Sequence, residues 1–218
     1  IESGSGAWGL EAYCYGAETE RLWGNTAIVA RDGYEAAMIT LSSYAFANSV
    51  PTFYLDDSAP LAAIESVLKR FDRLILVGYS NAESLPIALP KKDEADPVCF
   101  DDPDPCNAND SVNSWLRDLH NSTIESDTAI VTDPYCELDN NLIGPFAGRM
   151  RSQIILISIQ NLEEVAHGIK VLKTETNPPY RLLFVGSTLR YTDFDKALLS
   201  KALVSNPNFI SRTPKDRI

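Results

Sequence analysis

The residues best suited to hold a metal ion lie in an acidic, turn-rich segment in the middle of the chain. Asp102, Asp104, Asn107 and Asn109 follow one another at intervals of two or three residues. Carboxylate and amide oxygens at such spacing are ligands for Ca²⁺. The segment lacks the glycine and the bidentate glutamate of an EF-hand loop, so a solvated acidic linker is favoured over a calcium site. No other cofactor is predicted.

Carboxylates that follow predicted strands are the candidates for acid–base chemistry. Asp32, Asp56, Asp57 and Asp133 occupy such positions. An aspartate at a strand-to-helix turn is also an ordinary helix cap. Capping is the preferred interpretation of all four.

Motifs that bind phosphate or activate a nucleophile are missing from the sequence. There is no GxGxxG after a first strand, no GxxxxGK[ST] and no GxSxG. His120 and His167 are the only histidines, and neither is placed as the base of a triad. We therefore predict no catalytic residue.

Ligands of α/β proteins usually bind at the carboxyl ends of parallel strands. The predicted third strands end in Gly78 and Gly186, whose simplest role is a turn that needs positive φ. The candidate ligand or interface residues are those that follow strands: Asp32, Asp56, Tyr79, Ser80 and Ser187.

Four cysteines fall outside the predicted strand cores, which suggests two disulfides. Cys99 with Cys106 would close a short acidic loop, and Cys14 would then pair with Cys136. Three pairings are possible, and four reduced thiols are the alternative.

Two N-x-S/T sequons, at Asn109 and Asn121, predict glycosylation. Together with the cysteines they favour a secreted or cell-surface glycoprotein.

These residues are positioned by a unit that the sequence contains twice. Each copy has three short apolar runs typical of buried parallel strands, and an amphipathic helix between the second and third runs. The matching strands are Thr26–Val29 with Thr128–Val131, Pro51–Leu55 with Gln153–Ile157, and Arg73–Gly78 with Arg181–Gly186. The matching helix stripes are Leu61, Ile64, Leu68 and Phe71 with Leu162, Val165, Ile169 and Leu172.

The predicted fold class is α/β, with two tandem Rossmann-like modules whose short parallel sheets are flanked by helices. Asp57 or Ser58 is expected to cap the first stripe helix, and Asn161 the second. The predicted organisation is an N-terminal arm at 1–23, a first repeat at 24–90, an acidic insert with a linker helix at 91–124, a second repeat at 125–205 and a tail at 206–218.

The composition excludes two classes of partner. A formal net charge of −11 in 218 residues repels phosphate backbones, so no nucleic-acid partner is predicted. No stretch of about 18 apolar residues could span a bilayer. With 44% hydrophobic residues, the chain has enough apolar side chains for a core.

The segments Thr26–Ala37 and Ala45–Asp57 resemble the repeat of the bacterial cell-wall-binding type 2 family. Leu76–Ala82 and Val185–Thr188 stand where that repeat ends in its glycine motif. The resemblance implies non-catalytic surface modules that associate, often in threes, and hold anionic wall polysaccharide. The chain departs from it in having two copies, in lacking the "DAL" motif at Tyr135–Asp139, and in its negative charge.

The segments Asp32–Ala36 and Phe71–Val77 also resemble the opening of glycogenin-like glycosyltransferases, which hold a metal on a DxD motif. Asp102-Pro103-Asp104 has those letters but lies in a proline-rich loop. We therefore expect a secreted or cell-surface scaffold that binds glycan or other copies of itself as an oligomer, and a metal-dependent sugar-nucleotide transferase is the alternative.

Overall fold

The computed structural model describes residues 25–55, 59–88, 97–119, 127–135, 137–175, 178–185 and 191–209, with the backbone alone at 137–142. In chain order the described elements are β1 (Thr26–Ala30), α1 (Glu35–Ala47), β2 (Thr52–Tyr54), α2 (Leu61–Leu68), β3 (Arg73–Val77), β4 (Val98–Phe100), α3 (Pro105–Asp118), β5 (Thr128–Thr132), α4 (Glu137–Met150), β6 (Gln153–Leu156), α5 (Leu162–Thr174), β7 (Arg181–Phe184) and α6 (Asp193–Val204). None of the described helices is both long and apolar enough to cross a bilayer.

The strands form two separate parallel sheets with the orders β2-β1-β3-β4 and β6-β5-β7. The equivalent strands pair in the same register: Thr26 lies opposite Arg73 and Thr128 opposite Arg181. The central strands β1 and β5 are buried from their second residue onward because both of their faces are covered by helices, which suits their largely apolar sequence. The predicted α/β architecture of two Rossmann-like modules is confirmed.

The first sheet has a strand that the sequence did not predict. β4 lies within the acidic insert and pairs with β3, so that Cys99 is opposite Leu76. The predicted linker helix is also longer than expected, because α3 begins at Pro105 with Asp104 as its N-cap. Part of the insert is therefore an edge strand and a long helix of the fold.

The predicted helix stripes are only partly correct. In the first module Ile64, Leu68 and Phe71 are buried as expected. In the second, Leu172 is buried but Leu162 is 81% exposed. Leu162 is the first residue of α5. Its place on the sheet side of the helix is taken by Glu164, which is buried.

Of the two predicted helix N-caps, one is confirmed and the other is wrong. Asn161 caps α5 by accepting a hydrogen bond from the Glu163 amide at 3.0 Å, as predicted. The N-cap of α2 is Pro60, so the prediction of Asp57 or Ser58 at that position is wrong.

A layer of three helices, α1, α3 and α4, lies between the two sheets and is shared by both. Its apolar side chains form one core cluster with Ile28 and Ile75 of the first sheet and Ile130 and Ile154 of the second. Smaller clusters lie on the outer faces, under α2 in the first module and under α5 and α6 in the second. Neither sheet has a complete covering of its own.

Two glycines bring α1 and α4 into close contact. A Cβ at Gly144 would lie 2.7 Å from the Ser42 Cβ, and one at Gly148 would lie 2.7 Å from the Ser43 carbonyl oxygen and 3.0 Å from the Phe46 Cβ. The contact advances in the same direction along both helices, which therefore run parallel. Since α1 follows β1 and α4 follows β5, the carboxyl edges of both sheets face the same side of the molecule.

We predict that Gly144→Ala destabilises the protein although alanine is the better helix former. Alanine gains about 1 kcal/mol of helix propensity, and overpacking against Ser42 costs about 1–3 kcal/mol. The measurement is the free energy of unfolding in urea.

Ser42→Gly provides the matched test, because it removes the side chain that the new methyl group meets. In the double variant the two substitutions should compensate in part, with a favourable coupling energy. Strictly additive effects, or a Gly144→Ala protein more stable than the parent, would contradict the close helix contact.

Candidate functional site at the carboxyl edges of the sheets

At the carboxyl edge of the first sheet, one arginine is held between two tyrosine rings. The guanidinium carbon of Arg31 lies 5.2 Å from the centroid of the Tyr34 ring and 5.8 Å from that of Tyr79. Such cation–π contacts hold the guanidinium against the protein surface. Arg31 therefore contacts two of the protein's own rings while remaining exposed to solvent.

Gly78 makes this stacking possible. Its φ of +81° confirms the predicted turn, and a Cβ there would lie 2.6 Å from both the Arg31 Cγ and the Tyr34 Cδ2. The equivalent Gly186 lies outside the described residues.

The predicted ligand residues of the first module differ in their exposure to solvent. Tyr79 is buried, and its hydroxyl donates to the Leu55 carbonyl at 3.5 Å. Burial raises the pKa of Tyr79 in spite of the opposing effect of Arg31. Asp32 and Ser80 are exposed in separate turns. Asp56, Asp57 and Ser187 lie outside the described residues.

The carboxyl edge of the second sheet contains a buried polar network built on two carboxylates. Asp133 and Glu164 are each only 3% exposed. Ser158 joins them: its hydroxyl donates to Asp133 Oδ2 at 3.3 Å and its amide donates to Glu164 Oε2 at 2.9 Å. The Tyr135 amide donates to Asp133 Oδ1 at 2.9 Å, and the Tyr135 hydroxyl donates to Glu164 Oε1 at 3.0 Å. Asn161 Nδ2 also donates to Glu164 Oε1, at 3.0 Å.

This network ties the first turn of α5 to the ends of β5 and β6. Each carboxylate oxygen accepts at least one hydrogen bond, which compensates for the loss of water on burial. Sequence reasoning proposed Asp133 as an acid–base candidate with capping preferred, and the structure gives it a bond to the backbone two residues on. Sequence reasoning did not identify Ser158 or Glu164 as residues of this site. The available signal was the Asn161-x-x-Glu164 spacing, which is that of a capping box.

The network has a clear electrostatic effect on Tyr135. Desolvation of its hydroxyl, the hydrogen bond to Glu164, and the negative charges of Glu164 and Asp133 raise the pKa of Tyr135 to about 12. The phenol is therefore a neutral donor at physiological pH.

Helix α3 brings further polar groups to the same place. Partial burial, followed by the charges of Asp104, Glu164, Asp110 and Glu163, raises the pKa of the Cys106 thiol to about 11. This thiol is protonated near neutral pH and is not an activated nucleophile. His167 Nε2 lies 3.1 Å from Asp110 Oδ2, without the alignment of a hydrogen bond.

The preferred disulfide, Cys99 with Cys106, is wrong. Cys106 keeps a free thiol. Cys99 packs with the α2 side of the first sheet, whereas α3 belongs to the central layer on the other side. The sheet separates the two sulfurs. Cys14 and Cys136 lie outside the described residues, as does the sequon at Asn121.

The four residues proposed for calcium do not converge. Asp104 Oδ1 caps α3 by accepting from the amides of Cys106 and Asn107, each at 3.0 Å, and Asp102 Oδ1 accepts from the Asp104 amide at 2.9 Å. Asn109 points into the core, whereas Asp104 and Asn107 are exposed. Across the described ranges, no group of three His, Cys, Asp or Glu side chains is arranged to hold a metal ion.

Asn109 instead binds the outer edge of the second sheet. Its Nδ2 donates to the Ile154 carbonyl at 3.0 Å and to Thr40 Oγ1 at 2.8 Å, and its Oδ1 accepts from the Leu156 amide at 3.4 Å. One turn later, Asn113 Nδ2 donates to the same Ile154 carbonyl at 2.8 Å. The Asn109 amide thus pairs with an edge strand much as a neighbouring peptide group would.

This contact overturns the prediction of a glycan at Asn109. The side chain is 5% exposed and its nitrogen already makes two hydrogen bonds. It also protects β6, since an uncovered edge strand is a template for pairing with other chains.

Comparison of the chain with models of protein families, with curated proteins and with solved structures gives no match.

We predict that Asn109→Ala lowers the free energy of unfolding by about 1–3 kcal/mol, because it leaves the buried Leu156 amide of β6 without its acceptor. It should also promote aggregation, which light scattering can follow. The matched control is Asn107→Ala on the exposed side of α3, which should change stability by less than about 0.5 kcal/mol. Equal effects of the two substitutions would show that the amide does not hold the edge.

The Tyr135 hydroxyl gives a second prediction. Its pKa lies above that of an unfolded tyrosine, so its stabilising contribution is present below about pH 10 and is lost as the pH rises towards 12. Glu164→Gln removes the negative charge of Glu164, which is one cause of the raised pKa, so the pKa of Tyr135 should fall towards 10. Ultraviolet titration of phenolate, with Tyr135→Phe subtracted, measures it. Glu163→Gln is the control, and an equal fall there would contradict the assignment.

Proposed function

We propose that the chain is a non-catalytic scaffold, secreted or at a cell surface, that binds glycan or assembles with other copies of itself. One observation carries this proposal: the two buried carboxylates at the carboxyl edge of the second sheet are engaged by the protein itself. The oxygens of Asp133 and Glu164 accept internal hydrogen bonds, and at the first edge the exposed Arg31 makes cation–π contacts with two tyrosine rings.

The shared core supports the same proposal. A helical layer common to both sheets makes a rigid body, in which two edges are presented on one side in fixed relation. A binding or assembling protein profits from such rigidity because little conformational entropy is lost on association. The resemblance to cell-wall-binding repeats points in the same direction.

Charge narrows the choice of glycan. A chain with a net charge of −11 repels a polyanion at moderate ionic strength. We therefore favour a neutral or cationic polysaccharide over the anionic wall polymer that the resemblance implies.

The test separates the scaffold from a metal-dependent transferase that would use Asp102 and Asp104. Isothermal titration with UDP-glucose and Mn²⁺ should give no saturable heat, because Asp104 is committed to capping α3. Saturable heat that disappears in Asp102→Asn would overturn the non-catalytic proposal.

Assembly is measured separately. Light scattering over a range of concentrations should give a mass well above the 24.0 kDa of one chain, or binding to an insoluble polysaccharide should sediment the protein. A monomer that binds no polysaccharide would contradict the scaffold.

A further inference from the structure

Three large apolar side chains among the described residues are exposed at the carboxyl edge of the second sheet. Tyr135 is 61% exposed, Leu162 81% and Phe194 75%. They follow β5, β6 and β7 respectively, and because these strands are parallel neighbours their carboxyl ends meet at one edge. We call these three residues the carboxyl-edge patch.

The carboxyl-edge patch is held in place by hydrogen bonds beneath it. The Tyr135 hydroxyl is bound to Glu164, and Leu162 begins a helix that Asn161 caps. Phe194 lies in the first turn of α6, where Thr192 and Asp195 form a capping box. An exposed apolar group on a fixed backbone is suited to contact a partner, because little order has to be imposed on binding.

The charges around the patch are mainly negative. The surrounding carboxylates are those of Asp133, Glu163, Glu164, Asp193 and Asp195. Among the described residues of these turns Lys196 is the cation, with its Nζ 3.8 Å from Asp193 Oδ1.

The dipoles of the neighbouring helices do not reverse the negative sign of the charge around the patch. The amino ends of α5 and α6 contribute roughly half a positive charge each. For the described residues, five carboxylates against one lysine and two half-charges leave about three negative charges. A second copy presenting the same patch would be repelled, and so would an acidic or phosphorylated partner.

We propose that the carboxyl-edge patch docks a segment of a partner protein in which lysine or arginine side chains alternate with apolar ones. Apolar side chains of the segment would contact Leu162 and Phe194, and its cations would face the exposed carboxylates of Glu163 and Asp193. Tyr135 adds the face of a neutral ring for a cation. This inference goes beyond the proposed function and does not depend on assembly or on glycan.

The experiment uses a fluorescent peptide of alternating lysine and leucine and the full-length protein. Fluorescence anisotropy should show saturable binding that weakens as salt rises, because exposed charges are screened. Phe194→Ser and Leu162→Ser should each weaken binding by about tenfold. Glu163→Gln with Asp193→Asn should weaken it by about fivefold and reduce its salt dependence.

The matched control is Val204→Ser, which removes an exposed apolar side chain at the opposite end of α6. It should leave the affinity within about twofold of the parent. Equal binding by Phe194→Ser and the parent, or equal binding of a glutamate–leucine peptide, would overturn the proposal. So would a neutral oligosaccharide that binds the patch in place of the peptide and is lost with Phe194→Ser. Light scattering of Phe194→Ser measures assembly, which tests the scaffold proposal independently of peptide binding. A failure of the docking proposal can therefore be distinguished from a failure of the scaffold proposal.

Discussion

The close contact of α1 with α4 is the constraint on which the rest of the structure depends. Gly144 and Gly148 allow the two helices to approach until backbone meets side chain. Around that contact, side chains from both sheets form one core, which neither sheet could complete with its own helices. Larger residues at the two glycines would force the helices apart and open the centre of that core. The parallel direction of the helices also sets which edges lie together.

Much of this fold could be predicted from local patterns. The apolar runs that become β1 and β5 are long enough and β-branched enough to mark buried strands, and Ile64, Leu68 and Phe71 mark a helix face. β4 could not be predicted, because its three residues lie among acidic and turn-forming ones, and its place depends on pairing with β3. The prediction that Leu162 belongs to the buried stripe of α5 was wrong, because the stripe was extended to the first residue of the helix, where the side chain does not face the sheet.

The candidate site was harder to predict than the fold, because each of its residue types can serve several physical roles. An aspartate beside a helix can bind a metal, carry a proton or cap the helix, and Asp104 is used as a cap. Glu164 has the spacing of a surface capping residue, yet it is buried, because Ser158 and Asn161 from the β6–α5 connection and Tyr135 from the segment after β5 supply donors. Such a network needs tertiary contacts that no single segment reveals.

The position of Asn109 bears on how this chain can be produced. Asn109-Asp110-Ser111 has the letters of a glycosylation acceptor, and its buried asparagine could be reached by a transferase only before α3 docks on β6. A sugar on the Asn109 nitrogen leaves no room for α3 to reach β6. In a eukaryotic secretory pathway, modification therefore competes in time with docking of the helix, and each chain modified first is diverted from the native state. Hosts without the transferase avoid this competition and should yield a homogeneous product.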